Sequence, residues 1–137
     1  MKKNSTVPHT ARTPLANAEL AVMDLLWKQE PLTARQIREQ LYPEQGASQN
    51  GTVQRLLQRL KDKGYVQRDQ ATTVNLFATT LTREDYAGAQ LETLANNLTS
   101  GSFAPLITHL VEKKKITPQE IKRIRAILDL NEKGEES

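Results

Sequence analysis

Cysteine is absent from all 137 residues, which excludes disulfides, thiolate metal sites and cysteine nucleophiles. Aromatic residues make up only 4% of the chain, so any core has to be mainly aliphatic. No apolar run approaches the roughly 18 residues that a membrane span needs. The start carries Lys2 and Lys3 but none of the apolar stretch that marks a secretory signal. The cytoplasm is the expected compartment. The parts of an enzyme are missing too: there is no nucleophile beside a plausible base and no glycine-rich phosphate loop. The carboxylates fall at helix starts or on solvated faces. The two histidines, His9 and His109, are isolated, so neither a metal site nor a cofactor is expected.

What is present is a modest positive charge, +3 overall, distributed unevenly. Lys2, Lys3 and Arg12 fall in residues 1–14 with no acid among them, and the chain ends on the acidic "NEKGEES". Residues 1–14, with Pro8 and Pro14, read as a flexible basic arm able to touch phosphates. Residues 132–137 read as an acidic tail.

Between these ends the apolar spacing changes character twice. Leu20, Met23, Leu26 and Trp27 predict a helix over 17–29 with Asn17 as its cap, closed by Pro31. "LTARQIREQL" predicts a second helix, with Thr33 as cap, Gln36 in the capping-box position and Ile37 and Leu41 inward. A third follows the turn-rich "PEQGASQN". It is capped by Ser48 or Asn50, has Val53, Leu56, Leu57 and Leu60 as its buried stripe, and stops at Gly64. "YVQRD" and "VNLFATT" then read as a hairpin. Three helices and a hairpin describe a winged helix-turn-helix over residues 15–80, a fold whose third helix enters the major groove.

The polar face of that third helix is the candidate reader. Ser48, Asn50, Gly51 and Thr52 form a small polar start that lets backbone N–H groups approach a phosphate. Gln54, Arg55 and Gln58 come next. Arg pairs bidentately with guanine and Gln with adenine, each worth about 1–3 kcal/mol of discrimination. Arg59, Lys61 and Lys63 lie farther to the side and suit phosphate or solvent. Arg68, at the base of the wing, and Thr72, Thr73 and Asn75 offer weaker phosphate contacts.

From residue 81 the pattern is helical again, with starts at Thr82 and Thr117. Leu91, Leu94, Leu98, Leu106, Ile107, Leu110, Ile121, Ile124 and Leu128 are the apolar set of residues 81–131. Short helices this rich in aliphatics make little core of their own, so a second copy of the chain is expected to cover them.

Three segments, "LANAELAVMDLLWKQEPLTARQIREQL", "TVQRLLQRLKDKGYV" and "GSFAPLITHLVEKKKITPQEIKRIRAILD", together resemble the BlaI/MecI/CopY family of penicillinase-type repressors, over about residues 15 to 130. The resemblance implies a winged-helix homodimer that joins through its C-terminal helices and binds an inverted-repeat operator in double-stranded DNA. It also implies relief by loss of dimerisation, through a partner membrane sensor protease. In one branch that protease cuts an Asn-Phe bond, and His109-Leu110 stands at the aligned position here. The copper-responsive branch uses paired cysteines, which this chain lacks. The family's basic, tyrosine-rich wing is replaced by "DQATTVNLFATT". The alternatives are a winged-helix protein-interaction module and an activator without cleavage-based induction.

Overall fold

The protein is described by a computed structural model over residues 14–70 and 73–135. It is mainly helical: α1 (Asn17–Gln29), α2 (Ala34–Leu41) and α3 (Asn50–Asp62) precede an antiparallel hairpin of β1 (Val66–Asp69) and β2 (Leu76–Thr79). Then come α4 (Arg83–Leu98), α5 (Ala104–Glu112) and α6 (Pro118–Glu135). This is a winged helix followed by a helical region. No helix among the described residues is long and apolar enough to cross a membrane.

The winged part is built around Val22, Met23, Leu26, Ile37, Val53, Leu57 and Leu60, all at most 1% exposed. Tyr65 and Leu81 are also fully buried, and Phe77 nearly so. The inward stripe of α1 differs from the expected one. Leu20 is 37% exposed, while Glu19 and Val22 face inward with Met23 and Leu26. Asn17 is the first helical residue rather than the cap, and the Glu19 carboxylate accepts from the Ala16 N–H at 3.0 Å. The charged group can take the inward position because the Ala16 N–H and, from 44 residues away, Lys63 Nζ both bond its carboxylate, and Leu20 turns outward.

α2 has the expected cap. Thr33 Oγ1 accepts from Gln36 N at 3.1 Å, and Gln36 Oε1 from Thr33 N at 2.8 Å. α3 does not. No side chain caps it. It follows a 3₁₀ turn over Gly46–Gln49, and the Ser48 hydroxyl donates to the Gln45 carbonyl at 2.7 Å. At its other end Gly64 has φ +86°, and Tyr65 N–H reaches back to the Leu60 carbonyl at 2.8 Å. Only a residue free to adopt positive φ makes this exit without strain.

The hairpin register pairs Val66 with Thr79 and Asp69 with Leu76. Leu32 adds a short third rung: its N–H and C=O exchange bonds with Phe77 at 3.0 and 2.8 Å. One apolar residue between Pro31 and Thr33 carries no strand signal of its own, so this rung is invisible in the sequence. Glu30 also reaches the wing, accepting from the Thr79 N–H and hydroxyl at 3.2 and 2.8 Å.

The chain forms two compact units, with the division between Thr93 and Leu94 inside α4. The break expected at residue 80 is displaced because the first half of α4 completes the first unit's core. Tyr86 accepts from Leu15 N at 2.9 Å and lies 5.9 and 6.0 Å from the Trp27 and Tyr65 rings. Trp27 Nε1 donates to the Leu81 carbonyl at 3.0 Å, and the Arg83 guanidinium sits 5.0 Å over the indole. Arg83 also pairs with Asp24. That bond, with Lys28 beside it, holds the Asp24 carboxyl below the usual carboxylate range. Three of the six aromatics, Trp27, Tyr65 and Tyr86, are gathered at one junction.

The second unit turns at Ser100 and Gly101, both with positive φ. α6 opens as expected, Thr117 and Glu120 exchanging cap bonds at 2.9 and 3.1 Å. It runs on through Glu135, so most of the residues read as a separate acidic tail continue the helix. Their Glu and Lys are good helix formers, and only Gly134 weakens the run.

Candidate nucleic-acid interface

α3 divides cleanly in two. Val53, Leu56, Leu57 and Leu60 are buried, and Gln54, Arg55, Gln58 and Arg59 are exposed. Asn50 and Gly51 are exposed at its start, Thr52 is half-buried, and Ser48 lies exposed in the preceding turn. The helix therefore presents one continuous polar surface from its first turn. Gln58 is partly engaged, donating to Asp62 at 2.8 Å. With Arg55, Arg59 and Lys61 against one acid, Asp62, the face is net positive.

Gly51 has no structural reason to be glycine. Its φ is ordinary, and a Cβ added there would meet nothing within 4 Å. A glycine within a helix costs roughly 0.5–1 kcal/mol relative to alanine. Gly51→Ala is thus expected to raise the urea midpoint, with a gain toward the lower end of that range because the residue lies in the first turn. If glycine is kept for the close approach of a DNA backbone, the same change weakens DNA binding.

The orientation of α3 is fixed at its far end. Lys63 Nζ lies 3.3 and 3.0 Å from the two Glu19 oxygens, and Glu19 is only 3% exposed. Burial pushes the Glu19 carboxyl up. The Ala16 N–H bond, the Lys63 ammonium and the Arg59 charge outweigh it and hold the group below the usual range. Lys63 was expected among the sideways phosphate contacts; instead it tethers α3 to α1.

Beside the exposed polar face of α3 lies a cleft of about 390 Å³ lined by Ala34, Arg35 and Arg38 of α2 and by Ala47, Asn50 and Gln54. The arginines were not among the expected site residues. Arg38 sits directly after the buried Ile37, a position that reads as the edge of an apolar stripe, so only the packing of α2 on α3 brings it forward.

Arg68 is exposed and pairs in register with Phe77, toward the tip of the hairpin rather than its base. Thr73 and Asn75 are exposed. Thr72 and the arm residues Lys2, Lys3, His9 and Arg12 lie outside the described residues. Among the described residues no group of His, Cys, Asp or Glu is placed to hold a metal ion.

The proposed dimer residues behave uniformly. Leu91, Leu94, Leu98, Ile107, Leu110, Ile124 and Leu128 are 40–70% exposed, and Leu106 and Ile121 are half-buried. Ala95 is the only buried side chain described in the second unit. His109 and Leu110 are exposed on α5, and Phe103 immediately precedes that helix.

A family model described as Penicillinase repressor matches residues 15–130. The chain belongs to the penicillinase repressor family. It is 25% identical over 115 residues to the methicillin resistance regulatory protein MecI of Staphylococcus aureus (strain N315), covering 84% of this chain and 93% of that protein. The MecI of Mammaliicoccus sciuri gives the same figures. The penicillinase repressor of Bacillus licheniformis is 23% identical over 115 residues, covering 84% and 89%. Membership makes the chain a DNA-binding transcriptional repressor, and it excludes the enzyme that the family's name evokes. The matched span takes in both compact units, from Leu15 in the first core to Leu130 on α6.

Proposed function

We propose that this penicillinase-family repressor acts as a cytoplasmic homodimer on an inverted-repeat operator. α3 of each protomer enters the major groove, and the two half-sites lie about one helical turn apart. The observation that carries this reading is the division of α3, whose apolar side is wholly buried while Gln54 and Arg55 stand exposed one turn in. Gln54, Arg55 and Gln58 read base edges; Ser48, Asn50, Gly51, Thr52 and Arg59 contact the backbone, with Arg68 and Thr73 added from the wing. The exposed apolar set of α4–α6 supplies the dimer interface.

Fluorescence anisotropy with a promoter fragment tests the reading. Binding should weaken steeply with salt, because each neutralised phosphate releases counterions. Gln54→Ala and Arg55→Ala should each cost about 1–3 kcal/mol on the operator and little on random duplex. If both variants keep the wild-type preference for operator over random DNA, α3 is not the reader.

Relief follows from loss of dimerisation, since one winged module alone holds a half-site weakly. By analogy with the family, a membrane sensor protease initiates it, and the exposed His109-Leu110 segment is the proposed cleavage region. Mass spectrometry of the repressor after induction checks this. Fragments ending elsewhere, or an intact chain, would remove the segment from the account.

A further inference from the structure

Arg38 is placed at a cost. Its side chain is only 13% exposed, its Nε is buried with no hydrogen-bond partner, and its nearest acid, Glu39 Oε1, lies 3.7 Å from Nη2. That carboxylate oxygen is already engaged by Arg35 Nε at 2.9 Å. Two guanidiniums therefore share one carboxylate, leaving α2 with an excess positive charge. An orphaned buried donor destabilises a fold, and a neutral side chain of similar length would remove the penalty. The packing of the first unit gives no reason for a cation here.

The surroundings supply one. The α2/α3 cleft has Arg35 and Arg38 on one wall and Asn50 and Gln54 on the other, with Ala34 and Ala47 keeping it open. Its volume, about 390 Å³, accommodates a phosphate group with its water. Asn50 and Gln54 belong to the exposed polar face of α3, so a duplex read by that face passes over the mouth of the cleft. We propose that the cleft is a phosphate site taken by a backbone phosphate of the operator, with Arg38 its anchoring cation, Arg35 its outer rim and Asn50 a neutral donor. This rests on the operator-binding reading. It adds a contact from α2 that carries no base specificity and sets how deeply α3 lies in the groove.

The test compares wild type with R38M and R38Q in the full-length protein, using salt titrations on operator and on random duplex. Each neutral variant should lower the slope of log affinity against log salt by about one per bound protomer. Affinity should fall about tenfold on both duplexes, leaving their ratio unchanged. The melting temperature of R38M should stay level or rise, because the orphaned donor is gone. R38Q gives the same readings should methionine not be accommodated, and R38K, which keeps the charge, should retain most of the slope. An unchanged slope in both neutral variants overturns the site, as does a lost operator preference at constant slope. Wild type with no salt-dependent DNA binding would instead overturn the operator reading itself, a result separable from either.

Discussion

On the proposed dimer, Ile124→Asp combined with Leu128→Asp will give monomers and lower operator affinity by about 10²–10⁴-fold, the range that linkage of two binding modules supplies. The two residues stand four apart on α6 and share one face; they are 43% and 55% exposed in the protomer. Neither is part of the core of the first unit, so that winged part keeps its packing. In the proposed interface the same positions would be dry. A carboxylate there has either to be buried unpaired, at several kcal/mol, or to keep the partner away. Once the protomers separate, each α3 binds its half-site alone and the second binding event loses its high effective concentration. Sedimentation should show the mass halved, and anisotropy the drop in affinity. The near-UV signal of Trp27, held in the first unit, should be unchanged. A double variant that remains dimeric would move the interface off α6. A monomer with undiminished affinity would break the link between dimerisation and repression.

What could be read from the sequence follows from how local each signal is. The stripe Val53, Leu56, Leu57, Leu60 and the stop at Gly64 are set by neighbours along one helix, and their burial follows the expected pattern. The caps at Thr33 and Thr117 are equally local and sit where the pattern puts them. Failures come where two distant segments decide the outcome. Glu19 is inward because Lys63, 44 residues away, meets it there. Leu32 forms a β-bridge only because Phe77 passes beside it. The start of α3 misled for a different reason. Ser48 and Asn50 are both good caps by composition, but the 3₁₀ turn after Gly46 points the Ser48 hydroxyl back to Gln45. Arg38 combines both difficulties, since its environment is made by α2 packing on α3 and its charge resembles that of any solvated helix face.

The tether between Glu19 and Lys63 yields an asymmetric pair of expectations. Lys63→Met removes the ammonium and leaves a carboxylate 3% exposed, holding the Ala16 N–H bond and the field of Arg59. The loss should be about 2 kcal/mol, below the range for a fully buried pair, because Lys63 is 40% exposed and those compensations persist. Glu19→Gln is the milder change, at about 1 kcal/mol: the amide oxygen can still accept from Ala16, and the partly exposed Lys63 turns to water. The pH dependence separates them further. In the wild type the Glu19 carboxyl lies below its ordinary value when folded, so its contribution is complete above the unfolded value near 4.5. It is lost as the pH falls through the folded value. In Lys63→Met the upward push of burial is opposed only by the Ala16 bond and the Arg59 charge, so protonation relieves the buried charge and the gap to wild type narrows on acidification. In Glu19→Gln the step is absent. Urea denaturation at pH 7 and at pH 4 measures all of this. Equal losses for the two variants, or a gap that widens in acid, would show that Lys63 does not neutralise Glu19. Because the same bond ties the end of α3 to the start of α1, Lys63→Met should also weaken operator binding at pH 7 even under conditions where it remains folded. Its effect on DNA is then one of a reading helix less firmly aimed, which lowers the preference for operator over random duplex rather than the salt slope.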